Sequence, residues 1–136
     1  MNTTVSCHRP SSVWTVPEPF RNIYSHAVEL PVGKRLLFIS GQVGVAPDGR
    51  VAEDFSTQAE QAMDNVEALL VAARMTIAEV VKLTYYVTNS QNLATLGEIR
   101  RRRWSSRTPP AVTALVIAGL ARSEYLIEIE AIAAAN

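Results

Sequence analysis

The sequence predicts an α+β fold in which one mixed sheet carries two helices on a single face, in the order ββαβαββ. Two observations support this prediction. Short apolar segments with strand-type alternation flank two longer segments whose apolar residues recur at helical spacing. Two helices are also too few to cover both faces of the sheet. We expect residues 1–136 to form a single domain, because a chain of 136 residues can bury one core.

The N-terminal part of the chain is expected to be an irregular arm over residues 1–20, because three prolines interrupt it. A short strand around Val13 to Val16 is possible within this arm. The first two strands of the sheet are predicted at Tyr24 to Leu30 and Leu36 to Val45. The second of these is apolar on both alternating faces, a pattern that is typical of a central strand covered on both sides.

The rest of the chain alternates between helical and strand patterns. Asp54, Ser56 or Thr57 can cap the first helix, whose apolar residues form one stripe. The following strand alternates cleanly, with Leu83 and Tyr85 on one face. The predicted elements are a helix at 54–75, a strand at 80–88, a helix at 93–104 and strands at 111–118 and 125–133.

Composition excludes several classes of protein. The 13 basic and 13 acidic side chains cancel, so no net field attracts nucleic acid or anionic lipid. The single cysteine, Cys7, cannot form an internal disulfide and fits a reducing cytoplasmic location. No signal peptide and no membrane span of about 20 apolar residues are expected. Cys7, His8 and His26 lack the spacing of a zinc site, so we expect no metal.

The strand after residue 110 is apolar on both faces. Val112, Ala114 and Val116 point one way, and Leu115 and Ile117 point the other. Because the two helices cover only one face of the sheet, the other face needs a partner. A second copy of the same chain is the simplest partner, which predicts a homo-oligomer.

Two acidic residues on the last strand are the first candidates for chemistry. Glu128 and Glu130 are two residues apart, so they stand on the same face about 6.5–7 Å from each other. They fit either a solvated edge strand or a water-lined cleft in which one carboxylate positions or deprotonates water. Tyr24 could likewise anchor a ligand through its hydroxyl or lie half-buried at a rim.

A run of four arginines ends the second predicted helix. On a helical wheel, Arg100 and Arg103 fall on the apolar face. Their stems can simply cover apolar surface at a helix C-terminus. Alternatively, Arg100, Arg103 or Arg107 could supply a cation to a ligand site. One short run in a neutral chain is weak support for RNA binding.

Several segments together resemble the RidA/YjgF family, the reactive-intermediate or imine deaminases. They are FISGQVGV, DNVEALLVAA, VVKLTYYVT, PPAVT and LIEIEAIA, in this order, and the match extends over about residues 22–134. The resemblance implies a chorismate-mutase-like fold and a homotrimer with ligand clefts between subunits. It also implies cofactor-free hydrolysis of 2-imino or 2-enamino acids to 2-keto acids and ammonia.

The resemblance assigns roles to individual residues. Tyr24 matches the site tyrosine of the family, Ser40 matches the serine of its SGQ strand, and Glu128 matches the glutamate that holds the attacking water. The carboxylate-binding arginine of the family falls on Val112, and a family asparagine falls on Gly97.

These matches complete the predicted site. We expect Glu128, Tyr24 and Ser40 to be the catalytic residues. The predicted substrate-binding residues are Val112, Ala114, Gly97 and Arg103.

The valine at position 112 affects the expected function. Loss of a bidentate arginine contact removes an interaction worth about 1.5–3 kcal/mol, which argues against archetypal 2-imino acid deamination. The expected function is therefore hydrolysis or tautomerisation of another reactive imine or enamine at the intersubunit clefts. The alternative is a trimer that binds a small metabolite, or protects a partner enzyme, without turnover.

Overall fold

Residues 4–136, the part of the chain that the computed structural model describes, form six strands, two α-helices and three short 3-10 turns. The strands are β1 (Ser6–His8), β2 (Ala27–Glu29), β3 (Arg35–Val43), β4 (Val80–Val87), β5 (Ala111–Val116) and β6 (Ile127–Ala135). The helices are α1 (Phe55–Ala72) and α2 (Leu93–Trp104), and the 3-10 turns are Glu18–Phe20, Ile77–Glu79 and Ser90–Asn92.

The main sheet has four strands in the order β3-β6-β4-β5. Strand β6 is antiparallel to both of its neighbours, whereas β4 and β5 are parallel. The prediction of an α+β fold with a mixed sheet and two helices is confirmed. The first strand of the predicted order, which corresponds to β2, lies outside this sheet. It pairs with β1 in a two-stranded ribbon, and the bridge between Ser25 and Ala111 connects the ribbon to β5.

The N-terminal arm differs from the expectation. Residues 6–8 form a strand in which Cys7 pairs with Val28, and the Cys7 thiol donates to the carbonyl oxygen of Pro109 at 3.6 Å. Residues 13–16 form no strand. Residues 1–3 of the predicted arm lie outside the described residues. Tertiary contact with the β5 entry thus organises a segment whose prolines suggested irregular chain.

The prediction that residues 36–45 form a central strand was wrong. Strand β3 lies at one edge of the sheet, beside β6 alone. Leu36 and Phe38 on its outer face are 51% and 69% exposed, while Ile39 on the other face is buried. An apolar outer face resembles a central strand in sequence, but nothing within residues 4–136 covers it.

The core lies between the sheet and the two helices. Helix α1 begins after Asp54, whose carboxylate accepts from the backbone N–H of Thr57 at 2.9 Å. Its apolar stripe packs on the inward residues of β3 and β6, as the 3.6 and 2.0 periodicities predict. Neither helix within residues 4–136 is long and apolar enough to cross a membrane. The buried helix residues include Ala59, Ala62, Met63, Val66, Leu70, Leu96 and Ile99.

A buried glutamine on α1 fixes the entry of β6. The Gln58 side chain is fully buried and donates to the carbonyl oxygens of Ala52 and Glu124, both at 2.8 Å. Its carbonyl oxygen accepts from the N–H of Leu126 at 2.9 Å. The amide therefore uses both ends in hydrogen bonds, and it sets the position of the strand two residues before Glu128.

Arg103 joins α2 to α1 through three carboxylates. One terminal nitrogen donates to Glu60, and the other donates to Asp64 and Glu67, both at 2.7 Å. The Arg103 side chain is only 14% exposed. The neighbouring Trp104 adds an indole N–H donated to Glu67 at 2.9 Å. These contacts make the arginine a structural clamp between the helices.

We expect the substitution Arg103→Met to lower the free energy of unfolding by about 1–3 kcal/mol, because it removes charge-assisted hydrogen bonds to partly exposed carboxylates. Urea denaturation at neutral pH measures the loss. Arg101→Met is the matched control, since Arg101 is exposed on the same helix, and it should cost much less. Equal losses in the two variants would contradict the role of the clamp.

The loss should also depend on pH. Burial raises the pKa of Glu60, but hydrogen bonds from Arg102 and Arg103 outweigh it, and the pKa lies below its ordinary value. A carboxyl group with a lowered folded pKa contributes stability that is present above its unfolded pKa and lost as pH falls through the folded value. The difference between the wild type and Arg103→Met should therefore shrink as pH falls below about 4.3.

Candidate functional site

Four polar side chains face outward at the centre of the open side of the sheet. On β6 these are Glu128 and Glu130, and on β4 they are Tyr86 and Thr84. The register places Tyr86 opposite Glu128 and Thr84 opposite Glu130. Directly opposite residues of an antiparallel pair share a face, so all four side chains are neighbours.

The two glutamates differ in their partners. The Tyr86 hydroxyl donates to Glu130 Oε1 at 2.6 Å, and this hydrogen bond raises the pKa of Tyr86. Glu128 is half-buried, and no hydrogen bond or ion pair joins it to another side chain within the part of the chain that the structure describes. Glu130 is therefore held by the protein, whereas the Glu128 carboxylate is free to accept from water or a ligand.

A β-bulge in β3 brings Ser40 and Gly41 against this pair. The pairing with β6 shifts between Ile39 and Gln42, so two residues of β3 stand opposite Glu130 alone. The Glu128 carboxylate lies directly over Gly41, where a Cβ atom would overlap it. The bare backbone of glycine is thus what gives the carboxylate its place.

An open cavity of about 380 Å³ lies beside Glu130 on the same face. Ser40, Lys82, Thr84 and Glu130 supply its polar lining, and Phe38 is among its apolar residues. The Lys82 ammonium donates to the Thr113 hydroxyl at 2.7 Å. The cavity therefore combines a cation, a carboxylate and two hydroxyls with an apolar wall.

Tyr24 lies next to the start of β5, away from the glutamate pair. The next residue, Ser25, donates its N–H to the Pro110 carbonyl at 2.8 Å and bridges Ala111 at the start of β5. Ala111 pairs with Lys82. Tyr86 is four positions further along β4, which corresponds to a distance of about 13 Å. One chain thus does not bring Tyr24 to Glu128.

The residues predicted to bind substrate lie near the helix-covered side of β5. Val112 pairs with Leu83 and packs on the core, and Ala114 pairs with Tyr85 and is exposed. Gly97 is buried on α2. Arg103 does not join them, because its guanidinium is ion-paired with α1.

Arg100 is the arginine that reaches the β5 side. Its guanidinium carbon lies 4.6 Å from the centroid of the Tyr85 ring. Desolvation lowers the pKa of Arg100, and the nearby side chains of Tyr85 and Tyr24 offset part of this effect. Arg107 is exposed in the loop after α2.

Sequence reasoning missed three residues here. Tyr86 stands on the polar face of β4, so its alternation could have placed it beside Glu128. The positions of Tyr85 and Gly41 relative to charged side chains depend on tertiary contacts that no local pattern shows. Among residues 4–136, no three His, Cys, Asp or Glu side chains converge on a possible metal site.

The fold and the glutamate pair define an α+β protein with a carboxylate site on the open face of its sheet. Known proteins match this chain in sequence and in fold. The profile of the family named Endoribonuclease L-PSP matches residues 17–135. The 2-iminobutanoate/2-iminopropanoate deaminase of Salmonella typhimurium is 37% identical over 101 residues, which cover 72% of this chain and 78% of that protein.

Solved structures agree with the sequence match. YyfB from Yersinia pestis, a protein of unknown function in the conserved Rid family, superposes with a TM-score of 0.80 at 34% identity, covering 95% of this chain and 97% of that one. Escherichia coli TdcF with bound serine gives a TM-score of 0.69 at 29% identity, covering 83% and 88%. The chain therefore belongs to the Rid family, also called the RidA/YjgF family, and is a distant homologue of the 2-iminobutanoate deaminases.

The Gly41–Glu128 contact gives a test of the site. We expect Gly41→Ala to turn the Glu128 side chain away from the bulge and to lower the free energy of unfolding by about 1–3 kcal/mol through overpacking. A crystal structure and urea denaturation measure the two effects. Gly119→Ala is the control, because nothing lies within 4 Å of a Cβ added there. An unmoved Glu128 in Gly41→Ala would refute the contact.

Proposed function

We propose that the protein hydrolyses a reactive imine or enamine intermediate, with Glu128 holding and deprotonating the attacking water. The observation that carries the proposal is the state of the glutamate pair. Glu130 is hydrogen-bonded by Tyr86, whereas the half-buried Glu128 is left without a partner within residues 4–136. An oriented, unpaired carboxylate in partial shelter from solvent is what a general base requires.

The proposed reaction balances with water as the sole co-reactant. Glu128 takes a proton from water as the oxygen bonds to the carbon of the protonated imine, which gives a tetrahedral carbinolamine. The carboxyl group then returns this proton to nitrogen. As the C–N bond breaks, the Glu128 carboxylate accepts the hydroxyl proton of the carbinolamine, so that a ketone and ammonia leave, and the proton passes from Glu128 to ammonia or solvent. Ser40, at the bulge beside the pair, and Tyr24 orient the substrate in this proposal. The relationship to 2-iminobutanoate deaminases supports the reaction class.

The proposed active unit is a homotrimer with a site at each subunit interface. Two features support an assembly. Leu36, Phe38 and Leu115 leave apolar surface exposed on the open side of the sheet. Tyr24 and Glu128 are far apart within one chain, so a shared site needs a residue from a second copy.

The ligand is proposed to be a small molecule and not a nucleic acid. Arg102 and Arg103 are paired with α1, and Arg100 is buried, so Arg101 alone of the run stays exposed without an ion pair in the described chain. This supports a neutral surface. The single cysteine, Cys7, supports a reducing, cytoplasmic location.

A second candidate function is metabolite binding without turnover. By resemblance to the family, Val112 stands at the position of the substrate-binding arginine. Because valine is aliphatic, it cannot make the usual contact with a substrate carboxylate. The solved structure of Escherichia coli TdcF contains bound serine, which supports ligand binding in a relative. A trimer with three such clefts could sequester a metabolite or protect a partner enzyme.

Glu128→Gln tests the proposed reaction. Purified protein should speed ammonia release from imines generated by an amino-acid oxidase, and from a neutral imine, above the uncatalysed rate. The substitution should lower this rate about 100-fold or more, because the amide cannot accept the proton. Glu53→Gln, at an exposed site before α1, should leave the rate unchanged. A ligand that stabilises the wild type in thermal shift and is recovered unchanged would support the binding function instead.

Phe38→Glu tests the assembly. Phe38 and Val71 are both 69% exposed in the chain, but Phe38 lies on the open face of the sheet and Val71 on the outer side of α1. Sedimentation velocity should give three times the chain mass for the wild type and for Val71→Glu. A buried charge at the interface should shift Phe38→Glu toward the monomer. A wild-type monomer would contradict the proposed trimer.

A further inference from the structure

An open cavity of about 240 Å³ lies in the N-terminal part of the fold, between residues 9–16 and the segment 21–26 that precedes β2. It shares no lining residue with the cavity beside Glu130. Residues 10–16 form no strand or helix, but the N–H of Val13 donates to the Pro10 carbonyl at 3.1 Å and closes a turn, and Val16 is buried. The cavity is thus a second concave site, and the proposed reaction uses none of its lining residues.

Basic side chains converge on this cavity. Arg9, Arg21 and His26 line it, and no Asp or Glu does so among residues 4–136. The Arg21 guanidinium makes no hydrogen bond or ion pair within the described chain, so its five N–H donors are free. Because the chain as a whole carries no net charge, this is a local concentration of cations. A cavity of this kind attracts an anion.

Arg9 is held in place by the backbone. Its Nη2 atom donates to the carbonyl oxygens of Arg21 at 2.7 Å and of Tyr24 at 3.0 Å. The Nε and Nη1 atoms make no hydrogen bond within the part of the chain that the structure describes, so they remain for a ligand. A guanidinium fixed in this way has already lost much of its conformational freedom, which lowers the cost of binding an anion.

Trp14 offers a ring surface at the same cavity. The residue is 66% exposed, yet its position is held by His26, whose Nε2 atom donates to the Trp14 carbonyl oxygen at 2.6 Å. The two rings also meet edge to face, with centroids 5.7 Å apart and an angle of 63° between their planes. An exposed indole that is fixed in this way can stack on a planar ring of a ligand.

The remaining polar lining favours a phosphate group over a carboxylate. Ser11 and Thr15 line the cavity, and neither hydroxyl is hydrogen-bonded within residues 4–136. A phosphate monoester carries about 1.5 to 2 negative charges and three acceptor oxygens, enough for two guanidinium groups and a hydroxyl, whereas a single arginine satisfies a carboxylate. The volume lies below the range of about 300 Å³ or more that is usual for small-molecule sites. The cavity therefore fits a phosphate and one ring, while the rest of the ligand projects into solvent.

We propose that this cavity binds a small phosphate ester that carries a planar ring, such as a nucleoside monophosphate. Arg9 and Arg21 hold the phosphate, and Trp14 stacks on the ring. The site is separate from Glu128, and the inference does not rest on the proposed imine hydrolysis.

Isothermal titration calorimetry in a phosphate-free buffer tests the site with AMP, with adenosine, which lacks the charge, and with inorganic phosphate, which lacks the ring. The wild type should bind AMP more tightly than either fragment. Arg21→Gln should weaken AMP binding about 10-fold to 100-fold, since charge-assisted hydrogen bonds are lost. Trp14→Ala should weaken AMP binding about 5-fold to 100-fold through the loss of stacking, and it should leave the affinity for inorganic phosphate unchanged.

Arg107→Gln and Val13→Ala are the matched controls. Arg107 is exposed away from the cavity, and Val13 is an exposed apolar neighbour of Trp14 that does not line it, so both variants should bind AMP like the wild type. Thermal unfolding checks that each variant is folded. Because Arg21 and Trp14 are both exposed, their replacement leaves the core intact.

Three results would each overturn the site. They are no binding of AMP by the wild type, an affinity for AMP no higher than for adenosine or inorganic phosphate, and unchanged AMP affinity in folded Arg21→Gln or Trp14→Ala. Glu128→Gln should bind AMP as tightly as the wild type, and weaker binding would place the nucleotide at the glutamate pair and overturn the site as well. Ammonia release is measured separately, so the failure of one proposal leaves the other standing.

Discussion

The strict alternation of β6 is the constraint on which the rest of the structure depends. The strand is hydrogen-bonded on both edges, to β3 and to β4. Ile127 and Ile129 are fully buried against the helices, while Glu128 and Glu130 face the open side. A slip of one residue would put two carboxylates into the core and two isoleucines outside, at a cost that no other contact could offset. The core therefore fixes the position of the glutamates.

Alternation also explains which parts of the site could be predicted. The shared face of Glu128 and Glu130 follows from a period of two, and so does the outward direction of Tyr86. The separation of Tyr24 from Glu128 does not follow from any period. It depends on the order of strands in the sheet, and β2, which follows Tyr24, joins a separate ribbon beside β5. Local patterns give directions, whereas distances between elements come from topology.

The arginine run illustrates the same limit on one helix. A helical wheel places Arg100 and Arg103 on the same face, and both side chains are largely shielded from solvent in the structure. Their surroundings differ because α1 presents acidic residues to one and β4 presents a tyrosine ring to the other. Burial of both residues was therefore predictable from sequence, but their different partners were not. The prediction for β3 was wrong for a different reason. The apolar outer face of this strand indicated a central position, whereas β3 is an edge strand of the sheet.

The bulge in β3 changes which residues of that strand lie on a common surface. Before it, Ile39 is opposite Ala131 and points to the helices; after it, Gln42 is opposite Ile129 and points the same way. The inward positions thus change from odd to even numbers within a single strand. A comparison of related sequences that assumes one phase along β3 will assign half of the strand to the wrong surface. Any insertion or deletion tolerated here must preserve this change of phase, because β6 on the other side has none.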